Sequence, residues 1–256
     1  MSTSNLLQHL RRKEQRGSKS RCHFMTHGEP HEVAGRLTSL IHPWGYVAAT
    51  DSWMPKGFYD TEEAQLHKAK RLIPSQNDRD VLKSWWLADP RPTSTTPSWD
   101  IASTCSIKVE RGLLLVEAKA HEGELRNEAC GKRLRNVSSK ANHESVARAI
   151  ADANEGLARA TKTDWRLSSN HCYQMSNRFA WSWKLCTLGY AVILVYLGFL
   201  DAADMDGPFG DDTQWDLLVK DHSAPLFPPE MWDRTINIGT VTFLPLIRAS
   251  TQSLND

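Results

Sequence analysis

Glu117 and Lys119 stand two residues apart at the end of the aliphatic run Leu113 to Val116, and Asp100 stands 17 residues before Glu117. If Leu113 to Ala120 is one strand, its side chains alternate faces, and Glu117 and Lys119 share a face with Leu113 and Leu115. A carboxylate and an ammonium then fall where the hydrophobic pattern expects interior. Burying either charge unpaired costs several kcal/mol, so each must be met by the other, by further side chains, or by a bound cation and phosphate. A plain Glu-Lys ion pair is the simplest answer and would suffice for an isolated Glu-x-Lys. The context shifts the balance: Pro97, Ser98, Trp99 and Asp100 open the preceding strand, and a turn separates them from the aliphatic run.

The elements that must position these residues are legible in outline. Ile101, Cys105, Ile107 and Val109 indicate an extended segment, residues 110–112 a turn, and residues 113–116 a buried strand. A regular hairpin on that turn pairs Asp100 near position 121–123, an offset of about four residues or ~13 Å from Glu117. A bulge or a splayed, bent strand is therefore expected to bring Asp100 back, with residues 103–106 as a place for it. Residues 121–142 read as loop, 143–161 as a helix with Val146, Ile150 and Leu157 inward, and 170–188 as a second helix. Residues 190–200, apolar on both faces, read as a strand in the middle of a sheet, and 235–246 as a further strand. Earlier in the chain, Asp60 and Glu63 have capping-box spacing and predict a helix toward Ile73, with another helix over 80–87. A Pro-, Ser- and Thr-rich loop follows at 90–98. The order strand, strand, helix, strand gives an α/β chain with a central mixed sheet flanked by helices.

In this order and spacing, Pro97 to Asp100, Leu113 to Lys119, and the helix and strand after them resemble the PD-(D/E)xK nuclease superfamily, the restriction-endonuclease-like fold. The resemblance covers roughly the middle hundred residues, a core of about 97–200 with N- and C-terminal elaborations. The proline here stands three positions before the aspartate, a departure at the loosest part of the pattern. The resemblance implies that Asp100, Glu117 and the main-chain carbonyl of Ala118 hold Mg²⁺ or Mn²⁺. It implies that Lys119 orients or deprotonates the attacking water, and that Gln174, four residues before Arg178, helps fix the site or contacts DNA. Glu62, Glu63 and Asp80 are candidates for an additional acidic residue; Glu122, Glu124 and His121 could instead enlarge the metal site. Arg133, Arg135, Lys140 and Arg178 are the expected contacts to nucleic acid, DNA first, and a homodimer is an option for cutting both strands. A non-catalytic nucleic-acid-binding or interaction module of the same fold is one alternative, with a glycoside hydrolase using tryptophans as sugar platforms as another.

Composition bounds these readings. The 256 residues are 40% hydrophobic and 24% charged, within the globular range. They form one domain over 21–256 behind a basic segment, 1–20, read as a tail or a loosely docked helix. A net charge of +1 argues against a broad nucleic-acid coat but not against a local basic groove. Basic residues gather at 11–21 and 126–140, acidic ones at 201–216. Five scattered cysteines without a CxxC pair fit a reducing, cytoplasmic setting. No signal-peptide core is visible, and the apolar run 185–200 is short of the ~20 residues of a membrane helix. Cys22, His23, His27 and His31 hint at zinc, yet Gly28 and Pro30 break the helix that would align them and no partner pair follows.

Overall fold

The computed structural model describes residues 3–88, 95–128 and 137–254. Its strands are β1 (Gly45–Tyr46), β2 (Trp53–Met54), β3 (Ile101–Ile107), β4 (Glu110–Lys119), β5 (Ala191–Leu200), β6 (Ile236–Ile238) and β7 (Val241–Thr251). Its helices are α1 (Thr3–Leu7), α2 (Gly17–Met25), α3 (Pro30–Ile41), α4 (Gln76–Trp86), α5 (Glu122–Glu128), α6 (Val137–Thr161), α7 (Tyr173–Thr187) and α8 (Asp212–Ser223). The fold is α/β, a seven-stranded mixed sheet with helices on both faces. The sheet runs β1-β3-β4-β5-β7-β6, with β2 also on β3. The β4, β5 and β7 strands are mutually parallel, and the remaining pairs are antiparallel.

Alternation along the central strands sorts the core into two layers. Leu113 and Leu115 of β4 and Val192, Leu194 and Tyr196 of β5 pack under α4, α6, α7 and α8. Leu114, Val116 and Ala118, with Ile193, Val195 and Leu197, pack against α2 and α3. Strands covered on both sides lose the polar-apolar alternation of an exposed sheet, which is why residues 113–116 and 191–199 read as continuous apolar runs. The run 185–200 is the end of α7 followed by β5, and among the described residues no helix is long and apolar enough to cross a membrane.

Several local expectations are corrected. Residues 60–73 form turns and isolated bridges instead of a helix. Ala64 bridges Trp99, and Ala64 and Leu66 are both fully buried, a spacing of two that suits extended chain. Residues 122–128 are helical, and α6 begins six positions before His143. Residues 235–246 form a hairpin about Gly239, whose φ of 63° suits the turn. Helix α8 emerges from the acidic run, its Asp211 side chain accepting from the Gln214 amide. The basic N-terminal segment is docked: buried Arg21 is paired with Asp204, and Gly17 N–H donates to the same carboxylate at 3.0 Å. That pairing, against the pull of burial, holds Asp204 below the usual carboxylate range.

Gly198 of β5 lies beside Lys119 of β4, and Trp215 of α8 rests on its backbone; a Cβ there would meet the indole at 2.6 Å. Gly198→Ala is expected to destabilise the chain by about 1–3 kcal/mol, read as a lower urea midpoint with an unchanged m-value.

Candidate active site

The chain reverses between β3 and β4 two residues earlier than the sequence indicates, at Lys108 and Val109, with Lys108 at φ 54°. The ladder then runs unbroken from Ile107 opposite Glu110 to Ile101 opposite Val116. That register carries Asp100 to the position across from Glu117 with no bulge at 103–106, so the expected offset vanishes. Asp100 follows the parity of Ala102, whose side chain lies in the layer of Leu113 and Leu115. Asp100, Glu117 and Lys119 therefore share the face beneath α7, at the end of two adjacent strands.

Glu117 is 1% exposed at its side chain, and Lys119 and Arg178 are each 5% exposed. Its carboxylate is fully engaged. Oε1 accepts from Lys119 Nζ and from Gln174 Nε2, and Oε2 accepts from Arg178 Nε at 2.6 Å and pairs with Nη2 at the same distance. Burial acts to raise the Glu117 carboxyl, but Arg178 and Lys119 together overcome it and hold it below its usual range. Gln174 and Arg178, one turn apart on α7, reach the same carboxylate because i and i+4 share a helix face.

Arg178, expected to contact nucleic acid, is buried within the site. Its guanidinium donates to Glu117, to the Ser98 carbonyl at 2.6 Å and to Asn177 Oδ1 at 3.1 Å, and it stacks 4.5 Å from the centre of the Trp99 ring. Arg178 orients Glu117 and ties α7 to the strand that carries Asp100. Lys140 is exposed on α6, 4.0 Å from Glu144; Arg133 and Arg135 lie outside the described residues.

Asp100 shares with Glu117 the upward push of burial but lacks the cations that overcome it. Its Oδ2 accepts the Ala118 N–H at 2.8 Å. Burial first, then the like charge of Glu117, push its carboxyl up to about 8; Lys119 opposes, and Glu63 adds to the rise. Glu63 is thus a member of the site that a capping role had disguised. The Ala64–Trp99 bridge brings it beside Asp100, where it pairs with Lys19 at 2.9 Å. The bridge's extended chain is the physical reason, and the Ala64, Leu66 spacing was its trace in the sequence. The other acidic candidates sit elsewhere: Asp80 hydrogen-bonds Gln76, Glu62 is exposed, and Glu122 pairs with Arg126. Glu124 accepts from Ala120 N–H and from Ser18, pinning α2 to the end of β4. Beside Lys119 stands His222 of α8, which burial first and then the Lys119 charge hold down to about 4.

Among the described residues, no three His, Cys, Asp or Glu side chains are grouped to hold a metal ion. A hard divalent cation here would have Asp100 and Glu117 as its carboxylates, completed by a carbonyl and water oxygens. Asp100 suits that role, because a carboxyl kept protonated by burial and by a like charge gains most from an adjacent dication. An open recess of about 360 Å³, lined by Thr95 to Ser98, Gln174 and Arg178, reaches the site from the α7 side. No family model, characterised protein or solved structure matches the chain.

Arg178→Met is expected to cost about 3–5 kcal/mol, since it strands a buried charge. In the Glu117→Gln, Arg178→Met pair a substantial part of that loss returns, read by urea unfolding of the full mutant cycle. Asp100 binds its proton more tightly folded than unfolded, so its contribution is full below about pH 4 and is lost as pH rises to about 8. Asp100→Asn in metal-free buffer is expected to flatten that decline, seen as a Tm less dependent on pH across this window.

Proposed function

We propose that this chain is a divalent-metal-dependent nuclease of the PD-(D/E)xK type, built on a restriction-endonuclease-like core, that hydrolyses phosphodiester bonds in nucleic acid. The observation that carries the reading is the hairpin register, which sets Asp100 across from Glu117 on the face that also holds Lys119. Three groups distant in function from an ordinary core meet at one strand end, in the order the superfamily pattern asks for.

Asp100 and Glu117 would hold Mg²⁺ or Mn²⁺, which, when bound, polarises a phosphoryl oxygen and acidifies water. Glu117 now accepts from Lys119, Gln174 and Arg178, so an oxygen becomes available to a cation as Lys119 Nζ turns from it toward the water it orients. Gln174 and Arg178 keep the carboxylate aimed during that change. The attacking water adds its oxygen to phosphorus, its proton passes to solvent, the bond to the leaving oxygen breaks, and that oxygen takes a proton in turn. The Lys119 ammonium offsets the charge that gathers on the phosphate oxygens.

A second reading, a non-catalytic module of the same fold, is favoured by the complete occupation of Glu117 by protein donors. The glycoside-hydrolase alternative loses its platform argument, because none of the ten tryptophans is exposed and Trp86, Trp99, Trp181 and Trp215 are among the largest fully buried side chains.

Thermal unfolding with and without Mn²⁺ separates the two nuclease-fold readings. A metal-holding site gains about 2.7 kcal/mol at a cation concentration a hundredfold above Kd, and Asp100→Ala is expected to abolish the shift. Supercoiled DNA and single-stranded DNA and RNA should then be cut by the wild type, and Lys119→Ala should slow cleavage on the order of 10²–10⁴-fold. A wild type that shows neither a metal shift nor cleavage leaves only the non-catalytic module.

A further inference from the structure

A recess of about 410 Å³ between β2 and residues 60–72 has a basic lining that no ion pair uses among the described residues. Lys56, Lys68, Lys70 and Arg71 all line it and are all exposed, and none has an anionic partner among the described residues. Two carboxylates, Asp60 and Glu62, share the lining, so cations lead by four to two. Lys19 and Lys220 find acids in their own neighbourhood, and Lys83, Lys108 and Lys162 stand singly without one among the described residues; what sets the four apart is that they gather around one recess. Four exposed cations left without partners around one concavity are the footprint of an anion with several charges.

The recess and the site are linked through the chain. Met54 on its wall pairs with Ala102, two residues past Asp100, and Gln65 on its floor adjoins Ala64, which bridges Trp99. Gln65, on the lining, has a side-chain oxygen buried without a hydrogen-bond partner. Tyr59, 83% exposed, crowns the turn whose two ends, Lys56 and Asp60, form the rim. The ring rests against His27, 5.1 Å between ring centres, and its exposed remainder is a surface on which a base can stack.

We propose that this recess seats the backbone of a single nucleic-acid strand on its way to Asp100 and Glu117, with Lys56, Lys68, Lys70 and Arg71 on its phosphates and Tyr59 under a base. The location rests on the nuclease reading; the test does not. A cavity of this volume has the size of a small-molecule site, whereas a duplex, whose major groove alone is about 12 Å wide, does not enter it. The preferred substrate is accordingly a single strand or a frayed end.

Binding of a short fluorescein-labelled oligothymidylate to the full chain, in EDTA so that no cleavage occurs, is followed by anisotropy over a range of salt. The wild type should bind it more tightly than a duplex of equal length. The triple variant Lys68→Ala, Lys70→Ala, Arg71→Ala should bind at least about tenfold more weakly, with the slope of log K against log salt shallower by about 2, at ~0.7 per phosphate contact. Tyr59→Ala should weaken binding by about tenfold while leaving that slope unchanged. The charge-preserving pair Lys68→Arg, Lys70→Arg should bind as the wild type does, which excludes misfolding as the cause. Lys108→Ala with Arg111→Ala, at the far end of the β3–β4 hairpin, should bind normally. Absence of wild-type binding, a preference for duplex, or a triple variant with unchanged affinity and slope would overturn the proposal. A chain that binds through the recess but never cuts sinks only the nuclease reading; one that cuts a single strand equally well without the three cations sinks only the recess.

Discussion

Glu117 lies at the edge of a layer built mainly of aliphatic and aromatic side chains, and three donors from two elements meet its carboxylate there. Arg178 supplies two N–H groups, Gln174 one, and Lys119 its ammonium. Buried charge tolerates little error in geometry, because a donor displaced by an ångström no longer offsets desolvation. The position of α7 over the sheet is therefore fixed by electrostatics as well as by packing. Arg178 also reaches the Ser98 carbonyl and lies over Trp99, so the same guanidinium locks the entry to β3. Two strand ends and one helix are clamped to a common point.

That clamp sets two carboxylates apart. Glu117, surrounded by cations, is held ionised, while Asp100, facing Glu117 and Glu63, is pushed toward its neutral form. Neighbouring acids with opposed tendencies are a frequent mark of sites that handle protons or cations. A structural ion-pair network has no physical need for a second, uncompensated carboxyl beside the first. The site is accordingly asymmetric: one acid is already held by protein donors and the other keeps an unmet demand for positive charge.

The parts of this arrangement that were legible in the sequence are those governed by period. Alternation along β4 placed Glu117 and Lys119 inward, and the continuous apolar run at 191–199 placed β5 in the sheet's interior. Spacing on α7 brought Gln174 and Arg178 to one face. The hairpin register was not legible, because a turn two residues earlier moves every cross-strand partner, and Lys108 in a left-handed conformation leaves little trace in residue type. That Arg178 lies over Glu117 was not legible, because helical spacing puts it on one face with Gln174 without saying what that face meets. Glu63 was hidden by a capping pattern that the chain does not use, and α8 by reading its aspartates as a charge run when Asp211 is a helix cap.

The segregation of charge along the chain has a further consequence. Lys19 meets Glu14 and Glu63, Arg21 meets Asp204, and the Ser18 amide and hydroxyl meet Glu124. Lys19 and Arg21 of the basic leading segment thus serve as internal counter-ions for Glu63 and Asp204. A shortened version starting at the first sheet strand would leave Glu63, Asp204 and Glu124 without these partners and present a more acidic rim. The smallest autonomous unit consequently extends back to about Gly17, well ahead of the residues that give the site its chemistry.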